Sequence, residues 1–233
     1  MSEVRLLLIC CVPELGEAAM ARAADDVARA VRAHAPRGPT TSVLRRDGAR
    51  CRALLSALAQ QLRAPAQRAV VYYYGHGTQV RDRGGDEDDG RDEVWSTQGI
   101  TDDELSALFA QTHPTSRLYV LSDSCASGTM IDARLNRAPW VTLSSAADAE
   151  EALATADGGA FTVWGLVPAL RALAAPTPRA VHAYVTRAVE LGTQTCTLRA
   201  SDPRLLDEPI FGARAAAEQP NKQPIQSQIN KKK

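Results

Sequence analysis

No charge of either sign dominates this chain: 27 basic and 27 acidic residues cancel. No whole-molecule field therefore draws it to nucleic acid or to an anionic membrane. Paired cysteines are missing too. Cys10, Cys11, Cys51, Cys125 and Cys196 form no C-x-x-C motif and are odd in number, which argues against a zinc ribbon and a complete disulfide framework. A reducing, cytoplasmic compartment is expected. The apolar stretch from Arg5 to Val12 (RLLLICCV) is short and runs into Pro13 and Glu14, not into the small-residue cleavage site of a secretory signal. Nor is there room for a second large domain, since 233 residues with 45% hydrophobic content suffice for one sizeable core. Residues 1–212 read as that domain. The run EQPNKQPIQSQINKKK within 213–233 has too few apolar residues to order itself, so a disordered polar tail is expected.

What is present is an alternation of apolar runs with helical periodicity. Arg5 to Val12 reads as a strand, and Gly16 to Ala35 as a helix with Met20, Ala24, Val27 and Val31 on one face. Thr40 to Leu44 reads as a strand. A helix over Ala49 to Arg63 follows, with Leu54, Leu55, Leu58 and Leu62 in line. Ala69 to Tyr74 (AVVYYY), Leu118 to Leu121 and Trp140 to Ser144 complete a set of buried strands. Further on, Gly159 to Leu173 reads as a helix with a proline bend, Thr177 to Leu191 as a capped helix, and Thr193 to Ser201 as a last strand. The order predicts right-handed crossovers and an α/β fold with a mainly parallel central sheet flanked by helices.

Two strands end in chemistry. Leu118 to Leu121 breaks into small polar residues around Cys125 (SDSCASG), and AVVYYY ends in Gly75-His76-Gly77. Ligands sit outside the carboxyl ends of strands in such sheets, so a thiol and an imidazole delivered there form a candidate nucleophile and base. Between them the chain is densely acidic: Asp82, Asp86, Glu87, Asp88, Asp89, Asp92 and Glu93, then Asp102, Asp103 and Glu104 behind the capping residue Thr101. An EF-hand is excluded, because Gly90 as its sixth position places Gly85 and Ser96 where carboxylates are needed. Carboxylates this close repel one another unless solvated or neutralised by a hard divalent cation, for which calcium suits better than magnesium.

His76 precedes Cys125 by 49 residues, a spacing similar to that of caspases. Together Y-Y-G-H-G and D-S-C-A-S-G resemble the paired signatures of the caspase and metacaspase family, and the likeness runs through most of residues 4 to 212. The resemblance implies a caspase-like three-layer sandwich and a cysteine endopeptidase using a Cys125–His76 dyad, with the N–H groups of Gly77 and Cys125 as oxyanion hole. It also implies calcium held by Asp92, Asp102, Asp103 and Asp132, the last of these seven residues beyond Cys125.

For substrate, the resemblance puts Asp26, Tyr74 and Asp123 beside the pocket. An acidic pocket favours Arg or Lys before the cut bond and repels an aspartate there. Tyr74 stands where the family has serine, Ala23 where it has the cysteine of C-x-x-D, and Ala126 where it has histidine. No basic residue lies between Arg137 and Arg171, the region where the two portions of such enzymes join. An uncut, calcium-switched single chain without an N-terminal prodomain is therefore expected. The resemblance further implies a monomer whose extended sheet leaves no free edge for a caspase-type dimer. A catalytically silent protein using the fold to bind partners is the alternative reading.

Overall fold

The computed structural model describes residues 3–82, 85, 90–155, 157–189 and 194–212. The expected tail and the acids at 86–89 lie outside these residues. In chain order the elements begin β1 (Val4–Cys11), α1 (Gly16–Arg32), β2 (Thr40–Val43), α2 (Gly48–Leu62) and β3 (Arg68–Gly75). There follow β4 (Gly77–Arg81), β5 (Arg91–Trp95), β6 (Ile100–Thr101), α3 (Asp102–Phe109), β7 (Arg117–Asp123) and β8 (Trp140–Ser144). The last group is β9 (Ala154–Thr155), β10 (Gly158–Gly159), α4 (Val167–Ala172), α5 (Pro178–Ala188) and β11 (Thr197–Ala200). Six strands form the central sheet in the order β11-β8-β7-β3-β1-β2. All its pairings are parallel except that of β11 with β8.

Strand alternation builds the three layers. Leu6, Leu8, Val70, Tyr72, Tyr119, Leu121, Val141 and Leu143 point to one face, where α1, α4 and α5 cover them. Leu7, Ile9, Val71, Tyr73, Leu118, Val120 and Trp140 point to the other, against α2 and α3. A strand with both faces covered must be apolar at every position, which is why these strands read as continuous hydrophobic runs. The outer strands β2 and β11 are sheet edges, so an extended sheet without a free edge is not seen among the described residues.

Three differences from the sequence reading bear on the site. The stretch from 77 to 101 is not simply an acidic loop: β4, β5 and β6 form an antiparallel sheet of their own. Alternating pattern is weak there, and Trp95 anchors the unit by stacking on Tyr73 at 4.4 Å between ring centroids. Residues 154–159 form the small β9–β10 hairpin. The proline bend is a change of helix type, a π-helical stretch (Phe161–Leu166) running directly into α4 with Pro168 in its first turn. Pro168 has no N–H to donate, and the first turn of a helix does not require one. Near the end of the described residues, Ile210 and Phe211 close the core as buried side chains.

Candidate active site

The carboxyl ends of β1, β3, β7 and β8 converge on one rim of the sheet, and His76, Cys125, Tyr74 and Asp123 stand there. His76 lies between β3 and β4. Its carbonyl is held by the Tyr73 hydroxyl at 2.8 Å, the Ser96 hydroxyl at 2.9 Å and the Ser96 N–H at 3.0 Å. With the backbone fixed on that side, the half-exposed imidazole projects from the rim, and its Nε2 meets Glu14 Oε2 at 2.9 Å. Glu14 sits in the 3-10 turn Pro13–Leu15 that follows β1. The bond from His76 holds the Glu14 carboxyl below its ordinary range.

Cys125 is half-buried, immediately beyond β7, in a loop framed by serines. Ser122 Oγ accepts from Trp95 Nε1 at 3.0 Å and lies 3.0 Å from Ser124 Oγ. Ser145 Oγ accepts from Ser124 N–H and donates to Ser124 C=O, both at 3.0 Å, while Ser127 Oγ donates to the same carbonyl at 2.8 Å. Ala126 then adopts φ +43°, a left-handed conformation that costs a non-glycine residue of order 1 kcal/mol and is frequent at functional turns. The segment after β8 lies across this loop. Ala126 N–H donates to Glu150 C=O at 3.0 Å, and Ala152 N–H donates to the Cys125 sulfur at 3.2 Å.

Gly77 joins the two strand ends. A Cβ at this position would fall 1.8 Å from the Cys125 carbonyl oxygen and 3.2 Å from Ser124 Cβ, so only glycine lets β4 leave the rim flush against the cysteine loop. His76 and Cys125 thus stand on adjacent strand ends. Each side chain has its hydrogen bond with another partner, Glu14 for the imidazole and Ala152 for the thiol. Among the described residues no hydrogen bond engages the Cys125 N–H.

The three substrate residues separate. Asp123, the last residue of β7, is 2% exposed. Its Oδ2 accepts from Thr162 N–H at 3.1 Å and Thr162 Oγ1 at 2.7 Å. Gly159 packs so closely on the carboxylate that a Cβ would sit 2.1 Å from Oδ2. Burial outweighs these bonds and raises its pKa to about 7. Tyr74 pairs with Asp123 across the sheet and is 5% exposed. Its hydroxyl is buried without a hydrogen-bond partner, and its pKa is raised by burial first and by Asp123 second. Asp26 does not join them: its carboxylate meets Arg29 at 2.5 Å and Arg171 at 3.6 Å on a half-exposed face of α1. It lies one turn beyond Ala23, whose Cβ is 3.9 Å from the Cβ position of Gly158.

The four candidate metal ligands gather around the start of α3. Asp102 and Asp103 open that helix behind Thr101, whose Oγ1 accepts from Glu104 N–H at 3.1 Å. Asp132 donates its N–H to Ser106 Oγ at 2.9 Å, so it lies on the face shared by Asp102 and Ser106, four residues apart. Asp92 stands on β5, two residues before Val94, which pairs with Thr101. Asp92, Asp102 and Asp132 are 6%, 1% and 6% exposed, and Asp132 Oδ2 is buried without a hydrogen-bond partner. Hard, buried carboxylate oxygens are donors that calcium accepts. Among the described residues, however, no three His, Cys, Asp or Glu side chains stand as a ready cage.

Beside this group Glu93 is 1% exposed and accepts from Gln79 Nε2 at 2.8 Å and from Thr129 Oγ1. Thr129 Oγ1 also lies 3.0 Å from Asp148 Oδ1, so its single proton is shared between the two carboxylates. A part-buried link therefore runs from the acidic strand to the loops bracketing Cys125. Sequence reading gave no role to Glu14, Thr162 or Glu93. Their signal is tertiary, since Glu14 precedes His76 by 62 residues and Thr162 follows Asp123 by 39.

Residues 41–134 match a family model described as metacaspase, peptidase C14 domain. The matched segment contains His76, Cys125 and the four aspartates, but not Asp26. Metacaspase-1 of Arabidopsis thaliana is 41% identical over 80 residues, 30% of this chain and 22% of its own length. Metacaspase-1 of Saccharomyces cerevisiae strain YJM789 is 41% identical over 75 residues, 29% of this chain and 17% of its own. The chain thus spans about a fifth of the length of these curated relatives. Among solved structures, a protein of Geobacter sulfurreducens superposes with TM-score 0.68 at 23% identity, covering 90% of this chain and 98% of its own. Caspase-1 from Spodoptera frugiperda superposes with TM-score 0.61 at 12% identity, covering 91% and 93%. At these identities the two structures speak to the fold.

Proposed function

We propose that this chain, which resembles metacaspases within residues 41–134 and has the caspase fold, is a calcium-activated cysteine endopeptidase that cuts after Arg or Lys. The observation that carries the reading is the packing of Gly77 on the Cys125 carbonyl, which brings the backbone segments bearing His76 and Cys125 together at one rim of the sheet. Cys125 attacks the peptide carbonyl as His76 takes the thiol proton. The imidazolium then protonates the leaving amine, and water hydrolyses the acyl-enzyme. The N–H groups of Cys125 and Gly77 serve the developing oxyanion. Before attack the sulfur must exchange the Ala152 N–H for substrate, which makes the segment over residues 145–153 a wall of the reacting cleft.

Asp123 supplies the negative charge for a basic side chain, with Tyr74 shaping the same pocket. Asp26 has no part in it as placed here, because its charge is already answered by two arginines. Calcium would be held by Asp92, Asp102, Asp103 and Asp132, and would neutralise the charge of the acidic strand. The link through Glu93 and Thr129 would give that site a route to the cysteine loop.

The absence of basic residues between Arg137 and Arg171 supports action as an uncut chain. The balanced charge and odd, unpaired cysteines favour a monomer in a reducing cytoplasm acting on proteins, with neither nucleic acid nor membrane as partner. No helix among the described residues is long and apolar enough to cross a membrane.

The test is cleavage of reporter peptides ending in Arg, Lys or Asp, with calcium or chelator, by the wild type and Cys125→Ala. Calcium-dependent cutting after Arg or Lys that disappears in the variant, with the wild-type chain still intact on a gel, supports the reading. Cutting after Asp overturns the pocket, full activity in chelator overturns the switch, and inactivity throughout leaves a partner-binding protein of the same fold.

A further inference from the structure

Among the described residues the bond between His76 and Glu14 is the one charged contact of the proposed base, and it comes from a turn that the two-residue mechanism does not use. Its geometry is informative because an imidazole has two distinct nitrogens. A neutral ring carries one proton, and whichever nitrogen holds it is lost as a base. A carboxylate can only accept a hydrogen bond, so the nitrogen facing Glu14 Oε2 at 2.9 Å must be the one that carries the proton. That nitrogen is Nε2. The lone pair is thereby left on Nδ1.

We propose that Glu14 is the positioning residue of this site: its carboxylate accepts the Nε2–H of His76, fixes the tautomer with a bare Nδ1, and completes a Glu14–His76–Cys125 relay. The inference rests on the Cys125–His76 reading above. In the reacting step the S–H bond of Cys125 breaks, its proton goes to Nδ1, and the sulfur keeps the electron pair. His76 becomes an imidazolium whose Nε2–H stays on His76, now bonded to a full negative charge. No proton passes to Glu14. Its lowered pKa keeps it ionised across the neutral range, so the acceptor is present whenever the base is needed.

The backbone supports this role. Glu14 belongs to a turn closed by the Leu15 N–H to Val12 C=O bond at 3.0 Å, directly after β1, and β1 pairs with β3 up to Cys11 and Gly75. Carboxylate and imidazole therefore hang from segments that follow adjacent strand ends, whose pairing holds the two backbones within reach of each other. The carboxylate is 66% exposed, so solvent moderates its effect. A loss of about tenfold is expected, well short of the ~10⁴-fold cost of disrupting the buried aspartate of the serine-protease triad.

Three variants separate orientation from charge: Glu14→Gln keeps an acceptor without charge, Glu14→Ala removes both, and Glu14→Asp keeps charge on a shorter arm. The first readout is the His76 tautomer, from long-range ¹⁵N–¹H spectra of full-length protein, which needs no peptidase activity. The wild type should show the Nε2–H form, Glu14→Gln should retain it, and Glu14→Ala should show a mixture or the Nδ1–H form. The second readout is peptide cleavage in calcium, where kcat should fall in the order wild type, Gln, Ala with KM held within about twofold, and Asp should restore part of the loss. An Nδ1–H wild type, or a Glu14→Ala enzyme with unchanged tautomer and kcat, overturns the relay. A wild type that cuts no peptide yet shows the Glu14-dependent tautomer overturns the peptidase reading and leaves the contact standing.

Discussion

Asp123 shows most directly how one side chain couples the fold to the chemistry. Its carboxyl is raised from 3.8 to about 7 because burial outweighs its two bonds from Thr162. A raised folded-state value means that the folded chain holds a proton which the unfolded chain releases. Stability is then intact below the unfolded value near pH 4 and falls as pH rises towards 7. The loss above neutrality is on the order of 4 kcal/mol. Asp123→Asn should consequently be the more stable protein at pH 8, with the gap closing towards pH 4, as urea titrations at a series of pH values would show. Under the proposed specificity for Arg and Lys, the same variant should lose that preference in peptide profiling, whereas a purely structural Asp123 would leave it in place. At Gly77 the constraint is steric. Gly77→Ala must push β4 off the Cys125 carbonyl, at a cost of about 1–3 kcal/mol and with kcat reduced more than KM is raised; thermal melts and steady-state rates would check both.

The element at the centre of the proposed calcium switch is α3. Its first turn bears Asp102 and Asp103, its face receives Asp132, and its start pairs through Thr101 with the strand that holds Asp92. A carboxylate pair at a helix N-terminus is favoured by the exposed N–H groups there, and the Thr101 hydroxyl satisfies one of them. Thr101→Ala should cost about 1 kcal/mol of stability and also weaken the calcium response. Denaturation curves with and without calcium would show a smaller calcium-induced gain in the variant than in the wild type. An equal gain in both would separate the cap from the metal.

Over the whole molecule, the far ends of the strands are tied to the last described segment. Glu208 accepts from Arg117 Nε at 2.8 Å and Nη2 at 3.0 Å, with Arg68 at 4.0 Å. Ile210 and Phe211 are carried into the core beside it, with Phe211 stacked on His34 at 5.2 Å. This clasp sits opposite the catalytic rim. Glu208→Gln should therefore lower stability by about 1–2 kcal/mol and leave kcat unchanged, measured by urea unfolding and peptide cleavage on the same preparation. A kcat loss without destabilisation would show that the two ends of the sheet are coupled.

Short apolar runs rich in β-branched and aromatic residues favour buried strands, and the polar residues that end them fall at a rim, so the parallel sheet and the places of His76 and Cys125 at its edge are legible from residue order. The small sheet of β4, β5 and β6 was not, because its strands are short and charged and are held by one buried tryptophan and not by a pattern. Glu14 and Thr162 were equally silent: each is an ordinary polar residue whose partner lies far away in the chain. Asp26, marked by a motif, meets Arg29 and Arg171 on the surface of α1, contacts that the motif does not foretell. Local periodicity determines which segments are strands and helices. Which side chains meet across the rim is decided only when those strands are laid side by side, since contact across a sheet depends on strand order and register, and neither is a local property of sequence.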